Sequence, residues 1–316
     1  MRRKRFWPML ALVAALALVA AACGEDEGDG GETGPTAATG GAAETGGMGA
    51  MDCSGVDADG GDLFARICSD GVIRVSTDPA YPPQSFLNEE TGEYEGFDID
   101  VATEIATRLG VEVAWEAPSW DLIIAGGWND RWDMSVGSMT VTPERAEVLH
   151  FTPAYYYTPA VVAVHEDNTS IQDLETDLDG KTIGVCGGCT YDYFLQKTLE
   201  IPGYTFDFII DDANIVTYDT DSTAVQDLSL GDGTRLDAAI SSETVIQGAI
   251  DKDKPIKMVG DPVFYEPLAV ALDKSAQLDP TSLLEAVSAI VDEMHADGTL
   301  TDLSTEWFGT DYTVAV

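Results

Sequence analysis

One arginine, Arg145, stands where a strand is expected to end and a helix to begin, directly after the segment 137–144. A guanidinium group presents planar donors that pair with both oxygens of a carboxylate, so this residue is a candidate for binding an anionic group. Basic residues are scarce, since Lys and Arg number 16 against 56 acids. The alternative is an ordinary surface arginine that pairs with Glu144 or Glu147.

The five cysteines offer a second kind of chemistry: Cys23, Cys53, Cys68, Cys186 and Cys189. Apart from Cys23, which belongs to the N-terminal segment, four remain, and four cysteines in an oxidising compartment indicate two disulfides. A Cys53–Cys68 bridge would fasten the first strand of the domain, and a Cys186–Cys189 bridge would close a tight loop. Other pairings stay open. A Cys-x-x-Cys before a helix also fits a thioredoxin-like redox site, which is the less favoured interpretation.

No residue pattern in the sequence indicates catalysis, a metal or a cofactor. The three histidines, His150, His165 and His295, lack the spacing of metal ligands. The sequence has no Ser/His/Asp motif, phosphate-binding loop or dinucleotide fingerprint. We therefore expect neither an enzyme nor a metal site nor a cofactor.

The N-terminus has the layout of a secretory signal peptide over residues 1–22. Arg2-Arg3-Lys4-Arg5 precedes an apolar run over 6–22, and three alanines lead to Cys23. This end resembles a bacterial lipobox, in which the cysteine is acylated and becomes the new N-terminus, although Ala20 stands where Leu is commoner. The alternative is an uncleaved anchor helix, for which the run is short. Either way, the domain is expected outside the cytoplasm and tethered to the membrane.

Residues 23–52 read as a lipidated cysteine followed by a flexible acidic linker, because Gly, Ala, Thr and acids cannot bury enough surface to fold. The remaining domain, 53–316, holds 49 acids against 12 bases. This charge excludes nucleic acid as a partner and argues against docking of the domain on anionic lipid. A cationic ligand is one explanation for this charge, and solubility in a saline habitat is the favoured one.

From residue 71 onward, strand-like and helix-like runs alternate. The pattern predicts strands at 72–76, 111–115, 133–136, 182–185, 236–240 and 268–272. It predicts helices at 98–109, 120–125, 190–199, 224–230, 242–250, 283–294 and 300–307. This alternation favours an α/β fold with largely parallel sheets.

The chain is expected to form two lobes. The segments 157–164 and 263–271 are extended, apolar and punctuated by proline, and they flank a stretch with its own strands and helices. Two crossings between two lobes would form a hinge beside a cleft. The predicted boundaries are 53–160 for lobe 1, 161–262 for lobe 2, and 263–316 for the return to lobe 1.

Eight motifs follow one another in the order of a known family. They are Asp78-Pro79-Ala80-Tyr81-Pro82-Pro83, Gly96-Phe97-Asp98-Ile99-Asp100, Trp120-Asp121, Gly137 to Arg145, Phe151-Thr152-Pro153 with Tyr155-Tyr156, Gly180 to Val185, Leu236 to Ile240, and Asp297-Gly298-Thr299-Leu300 with Trp307-Phe308-Gly309. Over residues 70–312 the chain resembles the bacterial extracellular solute-binding proteins of family 3, the polar amino-acid binding components of ABC transporters. The resemblance implies a two-lobe, type II periplasmic-binding-protein-like fold with a two-strand hinge.

The resemblance also implies which residues contact the ligand. The expected set is Asp78, Tyr81, Trp120, Ser138, Thr140, Arg145, Thr190 and Ser242. Arg145 matches the arginine that binds the ligand α-carboxylate, and Thr190 matches a threonine at a helix N-terminus, where orphan N–H groups attract anions. A plain helix cap would explain Thr190 equally well.

The other positions have competing structural explanations as well. Tyr81 and Trp120 match aromatic positions that stack on the ligand side chain, but core packing would also account for them. Ser138 and Thr140 match positions whose main-chain and hydroxyl groups contact ligand, but turn chemistry at a strand end is the alternative.

At one position the sequence departs from the family pattern. Many relatives carry an acid for the ligand ammonium five residues after the aspartate that matches Asp237, and here that position is Ser242. Either another acid takes this role, for which Asp121, Asp192 and Glu243 are candidates, or the ligand lacks a simple α-ammonium.

The sequence as a whole therefore predicts a monomeric, lipid-anchored binding protein on the outer face of the cell membrane. It would capture an amino acid or similar carboxylate-bearing solute by cleft closure and deliver it to an ABC permease and its ATPase. The alternative is a periplasmic dehydratase acting on a prephenate-like acid in the same cleft, which would need an acid or base near the leaving group. A sensor module is disfavoured, because no membrane-spanning or kinase segment follows the domain.

Overall fold

The computed structural model describes residues 52–56 and 61–315; the predicted signal peptide, Cys23 and most of the predicted linker lie outside the described residues. The strands are β1 (Val72–Ser76), β2 (Ala80–Tyr81), β3 (Ser85–Leu87), β4 (Tyr94–Glu95), β5 (Glu112–Glu116), β6 (Met134–Thr140), β7 (Leu149–His165), β8 (Lys181–Cys186), β9 (Ala213–Tyr218), β10 (Ala238–Ser242) and β11 (Ile256–Asp273). The helices are α1 (Leu63–Asp70), α2 (Phe97–Leu109), α3 (Trp120–Ile124), α4 (Pro143–Val148), α5 (Thr190–Leu195), α6 (Asp221–Leu228), α7 (Glu243–Ile250), α8 (Thr281–Ala296) and α9 (Thr299–Phe308).

An eight-stranded sheet runs through the described domain in the order β5-β1-β6-β11-β7-β10-β8-β9. The three strands at each end pair in parallel, as the alternating pattern predicts. Between them, β7 and β11 pair antiparallel with each other and with their outer neighbours. The fold is therefore α/β with two lobes, each built on one parallel group.

The two central strands form the connection between the lobes. They pair from Leu149 with Asp273 to His165 with Ile256. For β11 the sequence predicts a strand at 268–272 within an extended segment at 263–271, and the structure extends this strand back to Ile256, past Gly260-Asp261-Pro262. In the structure the pairing continues past these residues after a shift of register between Val259 and Phe264, as a β-bulge allows.

Each lobe has its own hydrophobic core. In lobe 1, α2 presents Val101, Ile105 and Leu109 to the sheet, the helical spacing that identifies this element in the sequence. In lobe 2, two clusters lie on opposite sides of the sheet, one containing Phe194 and the other Ile246. The cleft between the lobes is thus framed by two independently packed bodies.

Several elements differ from the sequence-based expectation. Helix α5 ends at Leu195 rather than 199, and Lys197 just beyond it adopts a left-handed conformation with φ 59°. The sequence does not predict the short strands β2, β3 and β4, since two- and three-residue strands leave almost no periodic signal. The helix α1 and the strand β9 are also absent from the prediction. The Cys53–Cys68 disulfide joins a short 3₁₀ turn to α1, not to a strand.

None of the helices in the described ranges is both long and apolar enough to cross a membrane.

Candidate functional site

A cavity between the lobes collects seven of the eight predicted ligand-binding residues. These are Asp78, Tyr81, Trp120, Ser138, Thr140, Arg145 and Thr190. The remaining lining residues are Gly137, Cys186, Cys189, Tyr191, Asp221 and Glu266. In the arrangement described, the cavity that these residues enclose has a volume of about 40 Å³.

Arg145 is buried in this cavity, with 3% of its surface exposed, so it is not the surface arginine of the alternative interpretation. Thr142 caps the start of α4 and places Arg145 in its first turn. The guanidinium donates from Nη1 to the Thr140 carbonyl at 2.9 Å and from Nη2 to the Gly188 carbonyl at 3.0 Å. Nε is buried and has no partner among the described residues. Burial lowers the pKa of this guanidinium from its usual value.

The indole ring of Trp120 lies over the guanidinium group of Arg145. The indole lies 5.1 Å from the guanidinium carbon, a cation–π distance, and its Nε1 donates to the Gly188 carbonyl at 3.4 Å. Gly188 belongs to the loop between β8 and α5 in lobe 2, whereas Trp120 and Arg145 belong to lobe 1. These contacts therefore join the two lobes.

Glu266, on the hinge strand β11, is a cavity residue that the sequence did not single out. Its carboxylate accepts hydrogen bonds from the hydroxyls of Thr140 at 2.7 Å, Thr190 at 2.6 Å and Tyr191 at 2.7 Å. Burial raises the pKa of this carboxyl group, while the three hydroxyls and Arg145 oppose the rise. Glu266 thus ties residues of both lobes to the hinge. No motif marks it, because it lies in an extended apolar strand.

Ser138 adopts a left-handed conformation, with φ 53°, at the end of β6. Its hydroxyl donates to the buried Asp98 at 2.8 Å and lies 2.6 Å from the Tyr156 hydroxyl. Tyr155 also donates to Asp98, at 2.7 Å. Burial raises the pKa of Asp98 to about 7. A polar network beneath the cavity floor therefore fixes a backbone conformation that is uncommon for residues other than glycine.

Ser242 is the predicted residue that does not line the cavity. It is fully buried and caps α7, and its hydroxyl contacts the Tyr81 hydroxyl at 3.1 Å and the Gln84 amide at 3.3 Å. The Ser242 hydroxyl is bonded to these protein groups and lies behind Tyr81, so it does not contact the cavity. The expectation that Ser242 touches ligand is therefore not supported by its position.

The three acids suggested as substitutes at this point also lie outside the cavity. Asp121 is exposed at the cleft mouth, Asp192 accepts from the Gly188 N–H and from Gln196, and Glu243 accepts from Tyr312. The cavity instead contains Asp221, the first residue of α6, which is 5% exposed. Its carboxylate accepts from the Ser241 hydroxyl at 2.6 Å, so it lies beside the position that the sequence marked as lacking an acid.

Two of the cavity acids, Asp221 and Glu266, are buried, and Asp78 is half-buried. Asp78 accepts from the Ala80 N–H at 2.7 Å, and burial raises its pKa. Burial, together with the charges of Asp78 and Glu266, raises the pKa of Asp221 to about 7, against the lowering effect of hydrogen bonds from the Ser241 hydroxyl and from its own backbone N–H. The site thus carries three carboxyl groups and one guanidinium.

The Cys186–Cys189 disulfide forms part of the lobe 2 wall. It links the end of β8 to the residue that precedes α5, and both sulfur atoms lie within 4.8 Å of the Asp221 carboxylate. Both predicted pairings are therefore present in the structure. The bridge borders the cavity with an apolar surface next to an acid.

Further contacts hold the lobes together around the cavity. Ser222 donates to the Ala80 carbonyl at 2.7 Å, and Gln84 donates to the Thr244 hydroxyl at 2.5 Å. Tyr312, near the end of the chain, donates to Glu243 at 3.0 Å. The described arrangement is therefore one in which both walls are in contact.

The sequence profile of the bacterial extracellular solute-binding proteins, family 3, matches residues 73–310. The chain belongs to this family. This confirms the resemblance drawn from the eight motifs, which the matched region contains.

Individual family members cover most of the chain. It is 32% identical over 247 residues to the probable amino-acid-binding protein YxeM of Bacillus subtilis, which covers 78% of this chain and 87% of the relative. It is 30% identical to the L-cystine-binding protein TcyJ of Escherichia coli, with 79% and 88% covered. A crystal structure of an ArgBP mutant from T. maritima superposes with a TM-score of 0.67 at 28% identity, covering 78% of this chain and 99% of the other. The family and these named relatives are binding proteins, which favours solute binding over the dehydratase alternative.

Proposed function

We propose that this chain is the solute-binding component of an ABC importer and that it captures a polar amino acid between its lobes. One observation carries the proposal: Arg145 is buried in the cavity, and part of its donor set is unoccupied. A guanidinium has five N–H groups, and Nε together with the remaining hydrogen of Nη2 forms one edge of the fork. That edge fits a carboxylate.

Capture is coupled to the arrangement of the lobes. A ligand that contacts Arg145 and Trp120 on one side and Thr190 on the other gains its full interaction only when both walls meet. Binding of this kind shifts the population toward the arrangement in which the lobes are in contact. That arrangement would be recognised by a permease whose transport is driven by an ATPase.

The anchor at Cys23 belongs to the same proposal. Acylation there would hold the monomeric domain on the outer face of the membrane through the acidic linker. Mass spectrometry of protein extracted from membranes checks this directly. An N-terminal peptide that begins with acylated Cys23 supports the anchor, and a peptide that retains Met1 refutes the processing.

Isothermal titration calorimetry of the purified protein with a panel of the standard amino acids tests the binding function. At least one amino acid should bind with a dissociation constant in the micromolar range or below. The absence of heat with every amino acid, in protein freed of retained ligand by unfolding and refolding, would reject the proposal. Mass spectrometry of the ligand released in the unfolding step identifies the natural solute independently.

A further inference from the structure

The family pattern places an ammonium-binding acid at position 242, and here that position holds a serine whose hydroxyl is already bonded to protein groups. Asp221 lines the cavity from helix α6, beside that position. The link is direct, because its carboxylate accepts from Ser241, the residue adjacent to Ser242. The chain therefore has a carboxylate beside this position, supplied by a different element.

The hydrogen-bond counts separate the three cavity acids. Glu266 accepts three hydroxyl hydrogen bonds and faces Arg145, so its capacity is largely used within the protein. Asp221 accepts one side-chain hydrogen bond and Asp78 accepts one from the backbone of its own turn. A carboxylate offers about four acceptor sites. Asp78 and Asp221 thus retain acceptor capacity toward the cavity.

The charges on the cavity walls lead to the same conclusion. Arg145 and Glu266 oppose each other, which leaves two carboxyl groups without a protein cation among the described residues. Asp221 is buried and Asp78 is half-buried beside it, and two carboxyl groups in this environment are unfavourable unless a positive group lies between or beside them. Arg145 with its unoccupied Nε independently points to a ligand carboxylate in the same cavity.

We propose that Asp221 binds the α-ammonium of the ligand in place of an acid at position 242, and that Asp78 binds a second positive group. The ligand is then a basic amino acid, with its carboxylate on Arg145. This inference rests on the proposed function, since it assumes that an amino acid occupies the cavity. It adds the residue that replaces the missing anchor and the charge class of the ligand.

Binding of a cation at this site is coupled to proton release. The groups that face Asp221 are Asp78, Glu266, Tyr81, Tyr191 and the Ser241 hydroxyl, and none is a cation. With its pKa raised to about 7, Asp221 is partly protonated at neutral pH, and a bound ammonium favours the ionised form. The affinity for a basic amino acid should therefore rise between pH 6 and pH 8.

The test is calorimetry with L-arginine, L-lysine and L-glutamine on the wild type and on three variants, Asp221→Asn, Asp78→Asn and Glu285→Gln. Glu285 is exposed on α8 and serves as the control for loss of one negative charge. The wild type should bind arginine or lysine at least tenfold more tightly than glutamine. Asp221→Asn should weaken the binding of all three amino acids by about 30-fold to several thousand-fold, the range for truncating a buried charge contact. Asp78→Asn should reduce only the preference for the basic ligands, and Glu285→Gln should change nothing.

An Asp221→Asn variant with unchanged affinity, or a wild type that binds glutamine as tightly as arginine and lysine, would overturn the inference while leaving the amino-acid function intact. Failure of the wild type to bind any amino acid would instead reject the proposed function.

If Asp221→Asn does not fold, titrations of the wild type with L-lysine in phosphate and Tris buffers at pH 7 give the answer. Proton release changes the observed heat between buffers of different ionisation enthalpy, and equal heats would contradict the inference. The same titrations on Asp98→Asn exclude the other carboxyl group with a pKa raised to about 7.

Discussion

The two walls of the cavity differ in chemistry. The lobe 1 wall carries a guanidinium and an indole, Arg145 and Trp120, above a floor of hydrogen-bonded hydroxyls. The lobe 2 wall carries a threonine hydroxyl, a disulfide and the Asp221 carboxylate. Glu266 on the hinge strand is bonded to residues of both. The difference fits the proposed ligand, whose carboxylate would face Arg145 in lobe 1 and whose α-ammonium would face Asp221 in lobe 2, while Asp78 in lobe 1 would meet the second positive group.

Removing the cation from the lobe 1 wall should have the largest effect. Arg145→Ala leaves a ligand carboxylate buried without a partner, so affinity should fall by about 2–5 kcal/mol, or 30-fold to several thousand-fold. Calorimetry measures the loss. Arg235→Ala is the control, because Arg235 is an exposed arginine that pairs with Asp227 in lobe 2. Equal affinities for both variants and the wild type would remove Arg145 from the site.

The next largest effect should come from Glu266, which is hydrogen-bonded to both walls of the cavity. Glu266→Gln replaces one carboxylate oxygen by an NH₂ group, which cannot accept, so either the Thr140 and Thr190 hydrogen bonds to Oε2 or the Tyr191 hydrogen bond to Oε1 is lost. The free energy of unfolding should fall by about 1–3 kcal/mol, the cost of leaving buried polar groups unsatisfied. Urea denaturation checks this against Glu285→Gln, which should match the wild type. An unchanged stability would show that Glu266 does not link the lobes.

The lobe 1 floor should also make stability depend on pH. Because burial raises the pKa of Asp98 from 3.8 to about 7, the folded protein retains a proton that the unfolded chain has already lost. This contribution stabilises the fold at low pH and is lost as pH rises toward 7. The free energy of unfolding should be lower at pH 8 than at pH 5, with a smaller decline in Asp98→Asn. An identical decline in both proteins would assign the effect elsewhere.

The smallest effect is expected from the disulfide in the lobe 2 wall. The double variant Cys186→Ser/Cys189→Ser keeps the hydrogen bonds of Arg145 and Glu266 and removes only a local brace, so affinity should change less than about tenfold. Cys53→Ser/Cys68→Ser is the matched control far along the chain, where a 15-residue separation predicts about 3 kcal/mol of lost stability and no change in affinity. A loss of all binding in the first variant would give the bridge a direct role.

Much of this arrangement could be predicted from the sequence. Regular apolar spacing identified α2 and α8, and the proline-punctuated segments identified the crossing strands. Arg145, Trp120 and Thr190 were selected through motifs in which position and residue type agree. The predicted domain boundaries and the roles of these residues remain predictions.

The rest depends on contacts between distant segments. Asp221 and Ser241 are 20 residues apart, and Glu266 meets Thr140 across 126 residues, so no local pattern reveals either contact. Neither Asp221 nor Glu266 belongs to a recognisable motif. An acid at the start of a helix or within an apolar strand has ordinary structural explanations. Solubility is the favoured explanation for most of the net charge of −40. Three of the acids, Asp78, Asp221 and Glu266, line the cavity, where their carboxyl groups are placed to contact a ligand or to join the lobes.

The central claim is that one amino acid spans the two walls, and ligand analogues test it most directly. Calorimetry would compare L-lysine with cadaverine, which lacks the carboxylate, and with 6-aminohexanoate, which lacks the α-ammonium, on the wild type, Arg145→Ala and Asp221→Asn. Both analogues should bind the wild type at least about 30-fold more weakly than lysine. Loss of the carboxylate should matter little in Arg145→Ala, and loss of the α-ammonium should matter little in Asp221→Asn. Cadaverine or 6-aminohexanoate binding the wild type as tightly as lysine would contradict the account.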